Sequence, residues 1–404
     1  MHILLLSHYF PPEVNAPAIR GFDHACVWRE AGHRVTVVTC TPSHPRGKPY
    51  PGYANRWTRR DRIAGIDVIR IWTWLAPNAG TMGRIASFAS FFLSVLLHLP
   101  VLPKADVVVS TSPQFFCGLS GWLLQRRRTP WVLEIRDLWP DSIVAVGAMR
   151  RSPIIRVLEH LETWAYRRAD RVVAVANGFV DHIARRRGRD GIIVVRNGVM
   201  ADSLIAKAGD AELFRREHGL EGRFIATYLG THGMAHNLDS VLDAAALLRD
   251  RTDIAFVLVG DGAEKDRLLQ RKEELGLTNV VMLAQQPREA IPAIWAASDA
   301  SLITLRRSET FQKVLPSKVF EALATGTPVI LAVEGEARAL LEQAEAGEAV
   351  PPEDPAALAD AVQRLADNSD NRARYARNGR RWFAANGDRR KLALTMLDAL
   401  ERCR

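Results

Sequence analysis

Short hydrophobic runs alternate with helical patterns along the chain, and they fall into two series. The first predicts strands at residues 3–6, 35–39, 68–72, 107–110, 131–135, 171–175 and 192–195, with helices near residues 18–31, 119–126 and 152–168. The second predicts strands at residues 224–229, 254–259, 280–283, 300–304 and 329–332, with helices near residues 237–249, 264–275, 291–297 and 355–366. Strands that are separated by helices indicate mostly parallel, doubly wound α/β sheets.

Two domains are predicted from the break between these series. The polar stretch at residues 197–222 interrupts the hydrophobic runs, and 404 residues exceed what a single core usually serves. Residues 42–62 are rich in proline, glycine and arginine, and we interpret them as a long functional loop. Two such sheets are expected to leave a cleft at the carboxyl ends of their strands.

One hydrophobic segment, residues 85–102, needs separate interpretation. It is too short for a membrane span and too polar, since it contains Ser87, Ser94 and His98. We predict a helix with one face in the core and the other available to a membrane interface, with Phe91 and Phe92 as the lipid contacts. Residues 1–6 lack a basic leader segment, so a buried first strand is expected. The four cysteines form no C-x-x-C pair, and they fit a cytoplasmic location, which is reducing.

The chain is basic, with 54 Lys and Arg against 45 Asp and Glu and a net charge of +9 at pH 7. This surplus favours an anionic partner, either a nucleotide-sugar or an anionic membrane surface, and no nucleic-acid motif accompanies it. Arginine clusters at residues 56–62, 126–128 and 185–187 are either solvated faces or a surface that docks on anionic lipid. The four cysteines have no metal-binding spacing, so no metal site is expected.

The clearest chemical signal runs from Leu315 to Ile330 and predicts a loop, a helix and a buried strand. Ser317 is expected to cap the helix, whose first-turn N–H groups and positive dipole end suit an anion. Lys318 adds a positive charge there, and Glu321 follows one turn later on the same face. The pair fits a diphosphate and a ribose diol, although an ordinary helix with a surface ion pair has the same pattern.

The segment resembles the P-S-K-x-x-E-x-(L/M)-A-x-G-x-P-V-I motif of family 4 glycosyltransferases, and residues 9–13, 134–141 and 259–262 match other family segments in order. The resemblance covers nearly the whole chain. It implies an α/β GT-B fold: two Rossmann-like doubly wound domains facing across a cleft, with a C-terminal helix that crosses back to the first domain. The expected acceptor-binding domain is residues 1–200, completed by about 386–404, and the expected nucleotide-sugar donor-binding domain is residues 201–385.

Candidate site residues follow from the residues and the resemblance together. On the donor side they are Lys318, Glu321, Ser317, Leu315, Pro316, Gly230, His232, Gly233, Gly260, Gln286 and Lys313. On the acceptor side they are Glu13, Asn15, Arg20 and Arg136. For catalysis they are Asp137, Glu134 and Lys318, because a carboxylate can orient or deprotonate a hydroxyl and a cation can stabilise a leaving diphosphate. The alternative at residues 136 and 137 is an ion pair that anchors the loop.

Three segments of the chain depart from the family pattern. Asn15 stands in a loop that is often glycine-rich in the family. His232 and His236 stand near positions where many members carry arginine and lysine against the diphosphate. Lys313 takes the place of the first of two paired glutamates, of which Glu321 is the second. The diphosphate charge is therefore expected to rest on Lys318 and on backbone N–H groups.

The implied function is retaining transfer of an N-acetylated amino sugar or a deoxysugar from a UDP-linked donor to a lipid-diphosphate-linked saccharide. The segment at residues 134–141 resembles the branch that builds O-antigen, capsule and colanic acid. No cofactor or metal is expected, because no acidic D-x-D triplet is present, and the expected location is the inner face of the cytoplasmic membrane. The alternatives are a GT-B-fold sugar-nucleotide epimerase and a non-catalytic nucleotide-binding scaffold of a polysaccharide assembly complex.

Overall fold

The computed structural model describes residues 1–77, 81–112, 114–125, 129–145 and 150–403. The predicted basic cluster at residues 126–128 lies outside these ranges. The chain forms two compact units, of which unit 1 is Met1–Asn197 with Arg389–Arg404 and unit 2 is Gly198–Asp388.

Unit 1 is built on one sheet. Its strands are β1 (His2–Leu6), β2 (Arg34–Cys40), β3 (Thr58–Ile63), β4 (Ile66–Ile71), β5 (Val107–Thr111), β6 (Trp131–Ile135), β7 (Arg171–Ala174) and β8 (Ile192–Val194). Its first helices are α1 (Ala16–Glu30), α2 (Thr81–His98), α3 (Phe115–Gln125), α4 (Asp141–Ala145), α5 (Pro153–Arg168) and α6 (Val180–Arg187). The strand order is β3-β4-β2-β1-β5-β6-β7-β8, and only β3 pairs in the antiparallel direction.

Unit 2 repeats this design with a parallel sheet. Its strands are β9 (Phe224–Leu229), β10 (Ile254–Val259), β11 (Val280–Leu283), β12 (Ala300–Thr304), β13 (Val329–Ala332) and β14 (Gly347–Ala349), in the order β11-β10-β9-β12-β13-β14. Its helices are α7 (Asp210–Glu217), α8 (Leu238–Leu247), α9 (Lys265–Glu274), α10 (Ile291–Ala297), α11 (Ser317–Thr325), α12 (Glu336–Ala344), α13 (Pro355–Asp367) and α14 (Ser369–Asn386).

In each unit the strand order reverses beside the first strand. In unit 1, β1 pairs with β2 on one side and β5 on the other. In unit 2, β9 lies in the same way between β10 and β12. Open α/β sheets bind ligands at such a reversal, outside the carboxyl ends of the strands. The loops after β1, β5 and β6 and those after β9 and β12 are therefore the places where a site is expected.

The last helix, α15 (Arg389–Glu401), completes unit 1. Its apolar residues Met396, Leu397 and Leu400 are buried in the same core cluster as Leu5 and Trp28. The indole N–H of Trp28 on α1 also donates to the carbonyl oxygen of Ala393, at 2.9 Å. A C-terminal helix that returns to the first sheet was predicted, and the structure confirms it.

Every predicted strand is present to within two residues, and two strands were missed. Residues 58–62 were assigned to a loop, yet they lie in β3, an edge strand whose arginines hid its pattern. The short strand β14 at the other sheet edge was also missed, and α7 lies within the predicted break.

Helix α2 forms where the hydrophobic segment predicted it, but its orientation contradicts one expectation. Phe91 is fully buried, with its ring centroid 5.4 Å from that of His8, so it faces the core and not a membrane. The exposed large apolar side chains in the described part of α2 are Leu93, Leu96 and Leu97. None of the helices in the described ranges is long and apolar enough to cross a membrane.

Candidate active site

Glu134 lies in strand β6, one residue before its end at Ile135, and forms a buried ion pair with Arg20 of helix α1. Arg20 donates from Nε to Glu134 Oε1 at 2.9 Å, and it also donates to the carbonyl oxygens of Val195 and Arg196. The second carboxylate oxygen accepts from Thr111 Oγ1 at 2.7 Å. Burial alone would raise the pKa of Glu134, but Arg20 and Arg136 outweigh it and the pKa is lowered. This geometry disagrees with a base role for Glu134 and with an open anion contact by Arg20.

Arg136 follows β6 and differs from Arg20 in having no such partner. Its backbone N–H donates to Ser112 Oγ at 2.8 Å, which fixes the loop. Its guanidinium makes no hydrogen bond within the described part of the chain, and its Nε is buried. Burial lowers the pKa of Arg136 to about 9. The side chain borders a small cavity with Arg20 and His24. A guanidinium in this state can receive an anionic group.

Asp137 does not form the ion pair with Arg136 that was the alternative interpretation, as far as the described residues show. Its Oδ2 instead accepts from Ser142 Oγ at 2.9 Å, one residue into α4. Burial raises the pKa of Asp137. A raised pKa makes a carboxylate a stronger base, so Asp137 suits proton transfer better than Glu134 does.

The loop after β1 holds two predicted acceptor-side residues, and both are engaged. Glu13 Oε1 accepts from the backbone N–H groups of Ser43 and His44, each at 3.0 Å. Burial raises the pKa of Glu13 to about 7. Asn15 caps α1, because its Oδ1 accepts from the N–H of Ala18 at 3.0 Å. Asn15 thus has a local structural reason to replace glycine.

In unit 2, the loops after β9 and β10 touch each other through glycine. A Cβ on Gly260 would lie 1.8 Å from the carbonyl oxygen of Gly230, so only glycine allows this approach. His232 follows, and its N–H donates to the carbonyl oxygen of Asp261 at 2.9 Å. Gly233 leads into the short turn that precedes α8.

His232 is buried, and neither of its ring nitrogens has a partner among the described residues. Burial, with a smaller effect of Lys265, lowers the pKa of His232 to about 4. Burial also lowers the pKa of His236 to about 4. Both rings are therefore neutral near pH 7 and add no charge, which leaves cationic stabilisation to other side chains of the unit.

Lys318 and Glu321 lie at the start of α11, as the sequence indicated. Lys318 Nζ lies 2.8 Å from Glu321 Oε1 and 2.9 Å from Oε2. Trp295 of α10 donates from Nε1 to Glu321 Oε2 at 3.0 Å, and its indole is buried. Ser317 does not cap the helix: it is the first helical residue, the cap position is Pro316, and no side chain bonds the first turn. The first-turn N–H groups consequently lack a side-chain cap.

The segment before α11 carries the other predicted donor contacts. Leu315 is buried and anchors the segment, while Lys313 is half-buried and its amine has no partner among the described side chains and carbonyls. Gly335 packs against this segment, since a Cβ there would lie 2.0 Å from the carbonyl oxygen of Gln312. Gln286 lies after β11, and among the described residues its side chain donates to the carbonyl oxygen of Ala284 in its own turn.

Sequence reasoning missed several contributors to these two sets of residues. Trp295 was unrecognised because an indole in an apolar helix resembles any core residue. The amides of Ser43 and His44 were missed because they lie in the long loop before β3. No group of three or more His, Cys, Asp or Glu residues in the described ranges is placed to hold a metal ion. Independence from metal therefore stays a prediction.

Comparisons with known proteins cover both units. The family described as "Glycosyl transferase 4-like domain" matches residues 24–198. The family described as "Glycosyl transferases group 1" matches residues 210–382. The chain is 25% identical over 358 residues to the putative colanic acid biosynthesis glycosyl transferase WcaI of Escherichia coli (strain K12), covering 83% of this chain and 84% of that protein. It is 24% identical over 291 residues to the probable glycosyltransferase WbjE of Pseudomonas aeruginosa, covering 70% and 72%.

Solved structures of similar fold span the chain from end to end. Anabaena Alr3699/HepE, in complex with UDP and glucose, has a TM-score of 0.76 at 18% identity and covers 99% of both chains. WaaG, a glycosyltransferase involved in lipopolysaccharide biosynthesis, has a TM-score of 0.73 at 18% identity and likewise covers 99% of both. At this identity the likeness establishes the fold.

Proposed function

Because the chain is a glycosyltransferase of the GT-B fold, we propose that it moves a sugar from a nucleoside diphosphate sugar to a lipid-diphosphate-linked saccharide. Its sequence matches a glycosyl transferase 4-like domain followed by a group 1 domain. The proposed donor is UDP-linked. The transferred sugar is an N-acetylated amino sugar or a deoxysugar, and the product is a bacterial surface polysaccharide. Support for this pathway class comes from the relative WcaI, a putative colanic acid biosynthesis glycosyl transferase. Support for UDP comes from the UDP and glucose bound by the structural neighbour HepE.

The observation that carries the donor site is the Lys318–Glu321 pair at an uncapped helix start. Lys318 is one-third exposed and Glu321 is less exposed, at 31% and 17% of their side chains. An incoming diphosphate offers Lys318 a second anionic partner, and the first-turn N–H groups of α11 complete the anion contact. Glu321, still held by Trp295, then accepts from the ribose hydroxyls.

The proposed chemistry retains the anomeric configuration. No closely spaced carboxylate pair was found from the sequence for a double displacement. The departing diphosphate accepts the proton of the acceptor hydroxyl on the same face, while Lys318 and backbone N–H groups stabilise its growing negative charge. In unit 1, Asp137 orients the acceptor hydroxyl, and Arg136 offers an unpaired guanidinium to an anionic group of the acceptor.

The test is a calorimetric titration with UDP, GDP and ADP on the wild type, Lys318→Ala and Lys207→Ala. Lys207 is an exposed lysine of the same unit, so it controls for general loss of charge. We expect UDP to bind best, Lys318→Ala to bind it at least tenfold more weakly, and Lys207→Ala to bind it normally. Equal binding by both variants would remove Lys318 from the donor site.

Turnover separates the alternatives. Donor consumption that requires a lipid-linked saccharide supports transfer. Conversion of the donor sugar without any acceptor would support an epimerase, and nucleotide binding without turnover under either condition would support a scaffold.

A further inference from the structure

Helix α2 exposes leucines, while Ser87 and other polar side chains in its described part are buried. Leu93 and Leu97 are 56% and 62% exposed, and Leu96 lies beside them. Ser94 and His98 are buried on the opposite side. No Asp, Glu, Lys or Arg occurs from Ile85 to Pro103. A helix that faces water normally carries charged or polar residues on its outer face. The outer face of α2 is therefore suited to an apolar neighbour.

The buried polar residues fix this orientation. His98 Nε2 lies 2.8 Å from Thr58 Oγ1 and 3.1 Å from the carbonyl oxygen of Trp57. These contacts tie the end of α2 to the start of β3. Rotating the helix to bury its leucines would break them and would expose the core residue Phe91.

Two tryptophans extend the apolar face. The ring of Trp57 stacks on that of His98 at 4.5 Å, yet the side chain is 55% exposed. The backbone N–H of Trp74 donates to Ser90 Oγ at 2.8 Å, and its side chain is 59% exposed. Tryptophan favours the boundary between lipid and water, because its ring is apolar and its N–H is polar.

Basic residues border this face. Arg56, Arg60 and Arg62 are exposed immediately before and within β3, next to Trp57. The acid of this stretch, Asp61, is already paired with Arg59 and Arg70. The exposed arginines therefore keep a positive potential that attracts lipid phosphates.

We propose that this surface binds an anionic bilayer. It is named the α2 surface, and its members are Trp57, Trp74, Leu93, Leu96, Leu97 and the exposed arginines 56, 60 and 62. Helix α2 lies in the plane of the interface with its leucines among the acyl chains. A second copy of the chain is a poorer occupant, since two-fold pairing would place the same arginines opposite each other. The inference rests on the proposed lipid-linked acceptor for its purpose, but its test uses neither donor nor acceptor.

The experiment is co-sedimentation with vesicles of three parts phosphatidylcholine to one part phosphatidylglycerol, and with pure phosphatidylcholine. The apolar variant is Leu93→Gln/Leu97→Gln. Its matched control is Leu213→Gln/Leu247→Gln, since Leu213 and Leu247 of unit 2 are 52% and 61% exposed. The charge variant is Arg60→Gln/Arg62→Gln. A thermal unfolding transition like that of the wild type verifies that each variant is folded.

We expect the wild type to bind the anionic vesicles, and to bind less as salt is raised from about 0.1 M to about 0.5 M. The apolar variant should bind at least tenfold more weakly and its control normally. The charge variant should lose roughly thirtyfold on anionic vesicles, at about 1 kcal/mol per arginine, and little on neutral ones. Unchanged binding by the apolar variant, or equal loss by its control, overturns the proposal. Dimers of the wild type that become monomers in the apolar variant, without vesicle binding, overturn it in favour of a second copy.

Discussion

Trp295 and Glu321 are joined by a hydrogen bond of 3.0 Å, from the indole Nε1 to carboxylate Oε2. Lys318 contacts both oxygens of the same carboxylate. When Lys318 turns towards a bound diphosphate, the indole is the contact that still holds Glu321 in place. Trp295 is therefore a positioning residue for the proposed ribose contact.

Trp295→Phe should selectively weaken recognition of the ribose. We expect UDP affinity to fall roughly tenfold, the value of a hydrogen bond to a charged group, while 2′-deoxy-UDP affinity changes little. Calorimetry with both nucleotides measures this ratio. The matched control is Trp382→Phe, since the buried indole nitrogen of Trp382 has no partner among the described residues. An equal loss for both nucleotides would reduce Trp295 to a packing role.

Asp137→Asn should lower the rate without weakening donor binding. Burial raises the pKa of Asp137, so the wild-type rate should fall as the pH drops through that raised pKa, because the acting form is the carboxylate. The variant should lack this acidic limb and keep its UDP affinity. Asp181→Asn, at an exposed aspartate of the same unit, is the control for turnover. An unaltered pH–rate profile in Asp137→Asn would contradict the role.

Glu13→Gln should change how stability depends on pH. Burial raises the pKa of Glu13 from 4.5 to about 7, so the folded protein binds this proton more tightly than the unfolded chain does. Stability is therefore lost as the pH rises from about 4.5 to about 7, by up to about 3 kcal/mol from this group. Glutamine keeps the acceptor for the Ser43 and His44 N–H groups but does not titrate.

The measurement for Glu13 is thermal unfolding of wild type and variant across this pH range. The Tm of Glu13→Gln minus that of the wild type should become more positive as the pH rises. A difference that stays constant with pH would show that Glu13 titrates normally.

The Arg20–Glu134 pair should behave as one buried unit. Glu134→Leu leaves the guanidinium of Arg20 buried without its carboxylate, and we expect a loss of about 3–5 kcal/mol in urea unfolding. Arg20→Met/Glu134→Leu should be no less stable than Glu134→Leu alone, because it removes both charges. If the stability loss of the double variant equalled the sum of the losses in Arg20→Met and Glu134→Leu, the pair would not be coupled.

Sequence patterns predicted the fold better than they predicted the state of individual side chains. Buried strands such as β10 and β13 carry uninterrupted apolar runs, which have few other interpretations. Strand β3 was missed because it is an edge strand with one neighbour, and such a strand can carry charged residues such as the arginines of β3 in place of an apolar run. Its structure comes from pairing with β4, which no local pattern records.

The site illustrates the same limit. Lys318 and Glu321 were placed on one helix face because three-residue spacing fixes that geometry. Arg20 and Glu134 are 114 positions apart in the chain, so their pairing could not be read from either segment. Helix α2 was predicted as a helix, but assigning Phe91 to its outer face failed because the pattern there has apolar residues all round.

The packing of α15 against Trp28 and Leu5 sets an order of events during synthesis. Residues 1–197 leave the ribosome early, yet one wall of their core is supplied by residues 389–401, which are made after the whole of unit 2. Unit 2 is continuous in the chain, so its core can be completed before α15 is available to unit 1. The usual sequence, in which the N-terminal part folds first, is thus reversed for completion of the core. Until residues 389–401 have emerged, the apolar side chains that α15 covers are exposed to chaperones and to other nascent chains.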